Sequence, residues 1–214
     1  MEAFTTLTAI AAPMPKPNIN TDDIYPGLVP SGVAKKFGPQ TFTDPKLMGP
    51  NAFANFRWDA EGEPRADFIL NQPPYDQAKI LVAGANFGCG SSREMAVWAL
   101  AGIGVRCIIA LSFGDIFFNN CFKNGVLPVQ LPQVSVDALL AQVSGPLDPH
   151  LTVDLVQQTV RGADGRAHDF VVTEYYRQAL LRGLDEIDAT VATRLDQIAA
   201  FERGYRDQRS WLSF

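Results

Sequence analysis

The chain of 214 residues holds only two histidines, His150 and His168, and three cysteines, Cys89, Cys107 and Cys121. Neither histidine has the surroundings of a Ser-His-Asp triad, so that chemistry is set aside. Three thiols cannot all pair internally. No C-x-x-C occurs, and the spacing suits neither a secreted disulfide framework nor a closed metal site. Positive charge is also short: 18 Lys and Arg against 23 Asp and Glu leave a formal net charge of −5. A nucleic-acid backbone is therefore an unfavourable partner. No apolar run reaches the roughly 20 residues that cross a bilayer. The start, Met1-Glu2-Ala3-Phe4, lacks the basic and apolar regions of a secretory signal, so a cytoplasmic protein is expected. What is present, 47% hydrophobic and 19% charged residues, is ordinary globular usage with ample length for a core.

The order of segments predicts a single α/β domain over 1–214. Residues 13–17 are a stiff proline-rich entry. Residues 26–58 are rich in Gly and Pro and read as a long functional loop, with a helical piece at 32–37. A short strand is expected at 67–70. Then comes an alternation: strand 79–83, helix 92–102, strand 105–110, helix 115–122, strand 126–130. This is consecutive βαβ grammar and implies parallel strands. A helix over 136–143 has Ser135 as its cap. Segments 151–157 and 169–173 are expected to form a hairpin around the Asp164-Gly165 turn. Helices close the chain at 174–182, stopped by Gly183, and at 193–206, making a helical C-terminal segment of about 174–206.

The most informative stretch is Asn86-Phe87-Gly88-Cys89-Gly90-Ser91-Ser92-Arg93-Glu94. It joins the buried-strand pattern Ile80-Leu81-Val82-Ala83 to the helical pattern from Met95. The glycines permit sharp turns and expose backbone amides. Two hydroxyls and a guanidinium follow where the helix is predicted to begin, so a carboxylate or phosphate can be held by Ser91, Ser92 and Arg93. The alternative reading is that Gly-Ser-Ser only caps a helix. Other glycine motifs fit poorly. Gly90 stands where a P-loop needs Lys, Arg93 where a dinucleotide fingerprint needs Gly, and Glu94 where a nucleophile elbow needs Gly.

These residues, with Trp98-Ala99-Leu100 after them, resemble the signature of the 3-isopropylmalate dehydratase small-subunit family, the swivelling-domain partner in the aconitase superfamily. Two further stretches agree in order and spacing. Asn18-Ile19-Asn20-Thr21-Asp22-Asp23-Ile24-Tyr25-Pro26 resembles the family's Asn-x-Asp-Thr-Asp-x-Ile-x-Pro. Ser112-Phe113-Gly114-Asp115-Ile116-Phe117 and Asn124-Gly125-Val126-Leu127-Pro128 resemble its downstream segments. The resemblance spans roughly residues 5–190. It implies a three-layer β/β/α swivelling domain and a hydro-lyase of leucine biosynthesis, active only with a large subunit in a heterodimer or heterotetramer. The reaction moves a hydroxyl between neighbouring carbons of an alkyl-malate by dehydration and rehydration. Such chemistry uses a [4Fe-4S] cluster as Lewis acid. Three scattered cysteines make no convincing set for one, so the cluster is expected on the large subunit, with no metal held here.

The resemblance also implies roles. Ser91 matches the catalytic base, whose alkoxide would need the loop amides and Arg93 for stabilisation. Arg93 would grip a substrate carboxylate in bidentate fashion. Ser92 would bond the same carboxylate or cap the helix. Gly90 supplies backbone at the substrate, and Cys89 either reaches the site or is a half-buried packing thiol. Asp22 matches an active-site aspartate, with an Asx-turn or helix cap as the alternative for Asp22 and Asp23. Glu94 caps the helix or meets a basic group.

The sequence departs from the family's usual pattern where Met95 replaces His, Val97 replaces Pro and Gly27 replaces a Lys. Only Lys35 and Lys36 lie near a usual Arg. The segment Gly27–Phe37 is expected to set specificity, with Val29, Val33 and Phe37 as an apolar wall for an alkyl group. Two alternatives remain: a related enzyme for a citramalate or dimethylmalate type of substrate, and a non-catalytic carboxylate-binding relative.

Overall fold

The computed structural model describes residues 1–38, 45–146, 148–209 and 211. Part of the expected 26–58 loop, residues 39–44, lies outside these.

Strand β1, Thr6–Met14, organises the sheet by pairing differently along its two halves. Its C-terminal half runs parallel to β2, Ile80–Ala83, with Ala11 opposite Ile80 and Met14 opposite Ala83. Its N-terminal half runs antiparallel to β5, His150–Asp154, with Thr6 opposite Asp154 and Ile10 opposite His150. On one side, β3, Cys107–Ala110, and β4, Leu127–Gln130, continue the parallel ladder. On the other, β6, Thr159–Arg161, and β7, Ala167–Asp169, continue the antiparallel one. The strand order is β4-β3-β2-β1-β5-β6-β7. Pro128 fits in β4 because that strand is at the sheet edge.

Every residue of β2 and β3 is buried, as their unbroken apolar runs predict for strands covered on both faces. Leu81, Ala83, Ile108 and Ala110 face one core, and Ile80, Val82, Cys107 and Ile109 face the other. Each buried Val, Leu or Ile contributes about 1.5–3 kcal/mol relative to exposure. The first core is covered by α4, Met95–Gly102, through Ala96, Val97, Ala99 and Leu100. The second is covered by α6, Gln133–Val143, through Val136, Leu139 and Val143, with Leu180 of α7, Glu174–Arg182. Helix α5, Asp115–Lys123, lies at the boundary, giving Phe117 and Cys121 to one core and Phe122 to the other.

Close backbone approach seats the end of α4. A Cβ on Gly102 would fall 2.6 Å from Gly49 N, and one on Gly49 2.5 Å from Gly102 O. Gly49 belongs to a 3-10 turn, Pro45–Asn51. Asn124 ties α4 to α5: its amide donates to Glu94 Oε1 at 2.7 Å, and its oxygen accepts from Trp98 Nε1 at 2.8 Å. Glu94 therefore meets an asparagine amide rather than a basic group, and its side chain makes no cap bond.

Several expectations need correction. β1 was not anticipated, since Thr6–Met14 is alanine-rich and carries Pro13, both weak strand signals. The structure places Pro13 beyond the last β5 partner, where β1 has β2 on one side only. Residues 69–71 form a 3-10 turn, not a strand. The C-terminal β region has three strands, because the chain reverses once more between Asp154 and Thr159. The Asp164-Gly165 turn joins β6 to β7. Ser135 is buried inside α6, whose N-cap is Pro132. The last helix, α8, is longer than expected, Glu186–Gln208, with Asp185 as its side-chain cap. It has no buried residue, and Ile187, Leu195 and Phe201 are exposed.

Candidate active site

The three motifs singled out in the sequence meet at the C-terminal ends of β1, β2 and β3. Beyond β1 and β2 the chain keeps pairing: Asn18 N donates to Ala85 O at 2.8 Å, Gly88 N to Ile19 O at 2.7 Å, and Thr21 N to Cys89 O at 2.8 Å. Beyond β2 and β3, Phe87 N donates to Ser112 O at 3.0 Å and Gly114 N to Phe87 O at 2.9 Å. Side chains reinforce this: Asn86 N donates to Ser112 Oγ and Asn86 Nδ2 to Asn18 Oδ1, both at 2.8 Å. In open α/β sheets, ligands sit outside the carboxyl ends of the strands.

The short helix α1, Thr21–Ile24, aims side chains at the glycine loop. Asn20 and Asp23 form a reciprocal cap: Asp23 N donates to Asn20 Oδ1 at 2.7 Å, and Asn20 N to Asp23 Oδ2 at 3.2 Å. Capping thus falls to Asn20 and Asp23, and Asp22 points elsewhere. Its Oδ1 accepts from Arg93 Nη1. Thr21 Oγ1 accepts from Ser91 N at 3.0 Å and lies 2.9 Å from Ser91 Oγ. Ser91, Ser92 and Gly90 are exposed, and Cys89 is half-buried.

Helix α4 begins later than expected, at Met95 with Glu94 as N-cap. Its start carries no side-chain cap hydrogen bond, and the Ser91 and Arg93 side chains turn to Thr21 and Asp22 instead.

Tyr25 lies beneath the cluster. It is 2% exposed and its hydroxyl is buried without a hydrogen-bond partner. Burial pushes its phenol pKa up, against the pull of nearby Arg93. Neither Thr21 nor Tyr25 was marked as a candidate from sequence. Both stand inside the motif over residues 18–26, where the aspartates carry the more obvious chemistry.

The expected specificity segment is redirected. In α2, Ser31–Phe37, Val33 is 1% exposed and packs with Ala54 at the start of α3, Ala54–Arg57, and with Trp58 after it, with Val29 at the margin. The Phe37 ring lies 5.3 Å from that of Trp58. Lys36 donates to Glu63 at 3.0 Å and to Gly62 O at 3.3 Å. Val33 is therefore not part of an open apolar wall: the core under α2 needs an apolar side chain at this point. Gly27 and Lys35 are exposed, and two apolar side chains of the segment stand outward, Leu28 at 87% and Phe37 at 45% exposure.

The three thiols are free, and two of them lie in the core. Cys107 and Cys121 are fully buried, and burial pushes both pKa values well up, against the thiolate a metal requires. Among the described residues, no three His, Cys, Asp or Glu side chains converge on a metal position. No described helix is long and apolar enough to cross a membrane.

This arrangement of motifs beyond a β1-centred sheet is that of a known class: residues 1–134 match the aconitase C-terminal domain. Relatives match over nearly the whole chain. One named 3-isopropylmalate dehydratase small subunit, from Paramagnetospirillum magneticum, is 48% identical over 99% of this chain and 100% of its own. Proteins of the same name from Dinoroseobacter shibae and Rhodospirillum rubrum are 46% and 47% identical over 99% of this chain, covering 100% and 97% of theirs. The chain belongs to the 3-isopropylmalate dehydratase small-subunit family, within the aconitase C-terminal domain class. A solved 3-isopropylmalate dehydratase structure from Methanocaldococcus jannaschii shares the fold, with a TM-score of 0.63 at 21% identity, covering 91% of this chain and 99% of that one.

Proposed function

We propose that this chain is the small subunit of a 3-isopropylmalate dehydratase. With an iron–sulfur large subunit it would interconvert 2- and 3-isopropylmalate by dehydration and rehydration in leucine biosynthesis. The observation that carries this reading is the convergence of Ser91, Arg93 and Asp22 from two motifs about 70 residues apart, in a chain 48% identical to a protein of that name.

Ser91 acts as base. Its Oγ takes the proton from the carbon next to a carboxylate, the electron pair forms the alkene, and hydroxide leaves the neighbouring carbon. Rehydration reverses this with the two positions exchanged. Charge builds on the carboxylate as the proton leaves, and Arg93 is the cation placed to stabilise it. Arg93 and Asp22 hold each other in the free chain. Substrate carboxylate replaces Asp22 on the guanidinium, which frees Asp22 to orient the departing hydroxyl or the returning water. Ser92 and the backbone of Cys89 and Gly90 add donors at the same carboxylate. The Lewis acid belongs to the large subunit, since the donor set here does not fit a cluster.

The exposure of Ser91 and Ser92 supports a site completed by another chain. Leu28 and the margin of α2 supply the alkyl contact. The test is reconstitution with the cognate large subunit and kcat/KM for 3-isopropylmalate, citramalate, dimethylmalate and citrate. 3-Isopropylmalate is expected to lead. Preference for a methyl-substituted malate would move the assignment to that substrate, which the Gly27 departure allows. Preference for citrate, or full turnover by this chain alone, would overturn the reading.

A further inference from the structure

We propose that Thr21 is a positioning residue that donates its hydroxyl hydrogen to Ser91 Oγ and holds that oxygen in the alkoxide form. This rests on Ser91 being the base. A serine hydroxyl is a very weak acid, so a base built on it needs specific stabilisation of the anion. Loop amides and Arg93 provide part of that. Thr21 provides a neutral donor fixed in place before the reaction.

The geometry is directional. Thr21 is 1% exposed and begins α1, and its backbone N–H is committed to Cys89 O at 2.8 Å. Its Oγ1 accepts the Ser91 N–H at 3.0 Å, which uses an oxygen lone pair and leaves its single hydrogen free. Ser91 Oγ lies 2.9 Å away. In neutral serine either hydroxyl can donate. In the alkoxide only Thr21 can, because an alkoxide has acceptors alone. The contact therefore strengthens as Ser91 ionises, since hydrogen bonds to a charged partner are roughly twice as strong as neutral ones. Burial keeps water from competing for the Thr21 hydrogen.

The charged and titratable groups facing Ser91 are Asp22 and Asp23 from α1 with Lys16 on Asp23, Tyr25 just after α1, Cys89, Arg93 and Glu94 from its own segment, and Asp115, next to the Gly114 that lies against the loop. Replacing Thr21 by valine alters none of them. It keeps the buried shape and removes the hydroxyl, both the hydrogen aimed at Ser91 Oγ and the acceptor of the Ser91 N–H, and the pH limb reports the first of these.

The experiment compares wild type, Thr21→Val, Thr21→Ser, Thr21→Cys and Ser91→Ala in the reconstituted two-subunit enzyme, reading kcat, KM and the pH profile of kcat. Thr21→Val is expected to lower kcat about tenfold or more with little change in KM. It should also move the limb on which activity rises with pH upward by about one unit, since each pKa unit is a tenfold change in the fraction ionised. Thr21→Ser should restore both. Thr21→Cys, a weaker donor, should fall between them, and it decides the matter if Thr21→Val does not assemble.

A merely structural role would lower stability or assembly and leave the pH limb in place. An unshifted limb in Thr21→Val or Thr21→Cys, or a Thr21→Ser variant as impaired as the valine, would overturn the proposal. If Ser91→Ala is inactive while the Thr21 variants behave as wild type, only the Thr21 role falls. If Ser91→Ala stays active, the base assignment falls and the Thr21 role with it.

Discussion

Gly88 lies directly against the Phe117 ring: a Cβ at Gly88 would sit 2.2 Å from Phe117 Cγ. The backbone there has φ +72, a region unfavourable for residues with a side chain. Both facts place this glycine where the loop crosses over α5 toward Ser91. Gly88→Ala is expected to cost about 1–3 kcal/mol of stability, from strain and overpacking together. Denaturant unfolding measures it. Gly27→Ala is the control, because its Cβ would meet nothing within 4 Å and its backbone is not among those with positive φ. It should lose less.

Ser91→Ala in the reconstituted enzyme removes the proposed proton acceptor. Turnover should fall far below a tenth of wild type, with substrate binding largely kept. Retention of more than about a tenth of the rate, a barrier change under ~1.4 kcal/mol, would contradict the role of Ser91 as base.

Arg93→Lys is expected to raise KM strongly, because a point charge does not reproduce a bidentate grip on a carboxylate. The Arg93–Asp22 pair itself adds little to stability, since both side chains are substantially exposed. A fall in unfolding free energy well beyond about 1 kcal/mol would show that the pair is structural instead.

Leu28→Ala tests the alkyl contact. A lost apolar contact of this kind is worth about 1–3 kcal/mol, or roughly 10–200-fold in kcat/KM. The loss should appear for 3-isopropylmalate and be small for citramalate. Equal loss for both would mean that Leu28 does not read the alkyl group.

Thiol labelling follows from burial. In the folded chain Cys89 should react with an alkylating reagent well before Cys107 and Cys121, whose burial raises their pKa values and blocks access. All three should react once the chain is unfolded. Equal labelling of the folded chain would contradict the core positions of Cys107 and Cys121.

Asn124→Ala removes both the amide donated to Glu94 and the acceptor for Trp98. A loss of about 1–3 kcal/mol is expected, with near-UV circular dichroism reporting the change at Trp98.

The parallel half of the fold was legible because its signals are local. Ile80–Ala83, Cys107–Ala110 and Leu127–Gln130 are short apolar runs bounded by turn residues, and helices separate them. The helix from Glu174 to Arg182 was equally plain, with Gly183 at φ 68 ending it. The strand Thr6–Met14 was not legible, because alanines and Pro13 give no alternating pattern. Its strand character comes from β2 and β5, which border it in different halves.

The site divides in the same way. Residue chemistry and the glycine motif marked Ser91, Ser92 and Arg93 as a place where a carboxylate or phosphate can be held, with helix capping as the alternative; the finer roles came from the family resemblance. The structure alone decided that Asn20 and Asp23 cap α1 while Asp22 meets Arg93, that Thr21 reaches Ser91, that Val33 is core and that Leu28 faces out. These are contacts between segments far apart in the chain, or choices between neighbouring side chains on one short helix. The contacts of residues 18–21 with the glycine loop continue the β1–β2 pairing, and the place of Val33 comes from packing against Ala54 and Trp58; no local pattern of residues specifies either.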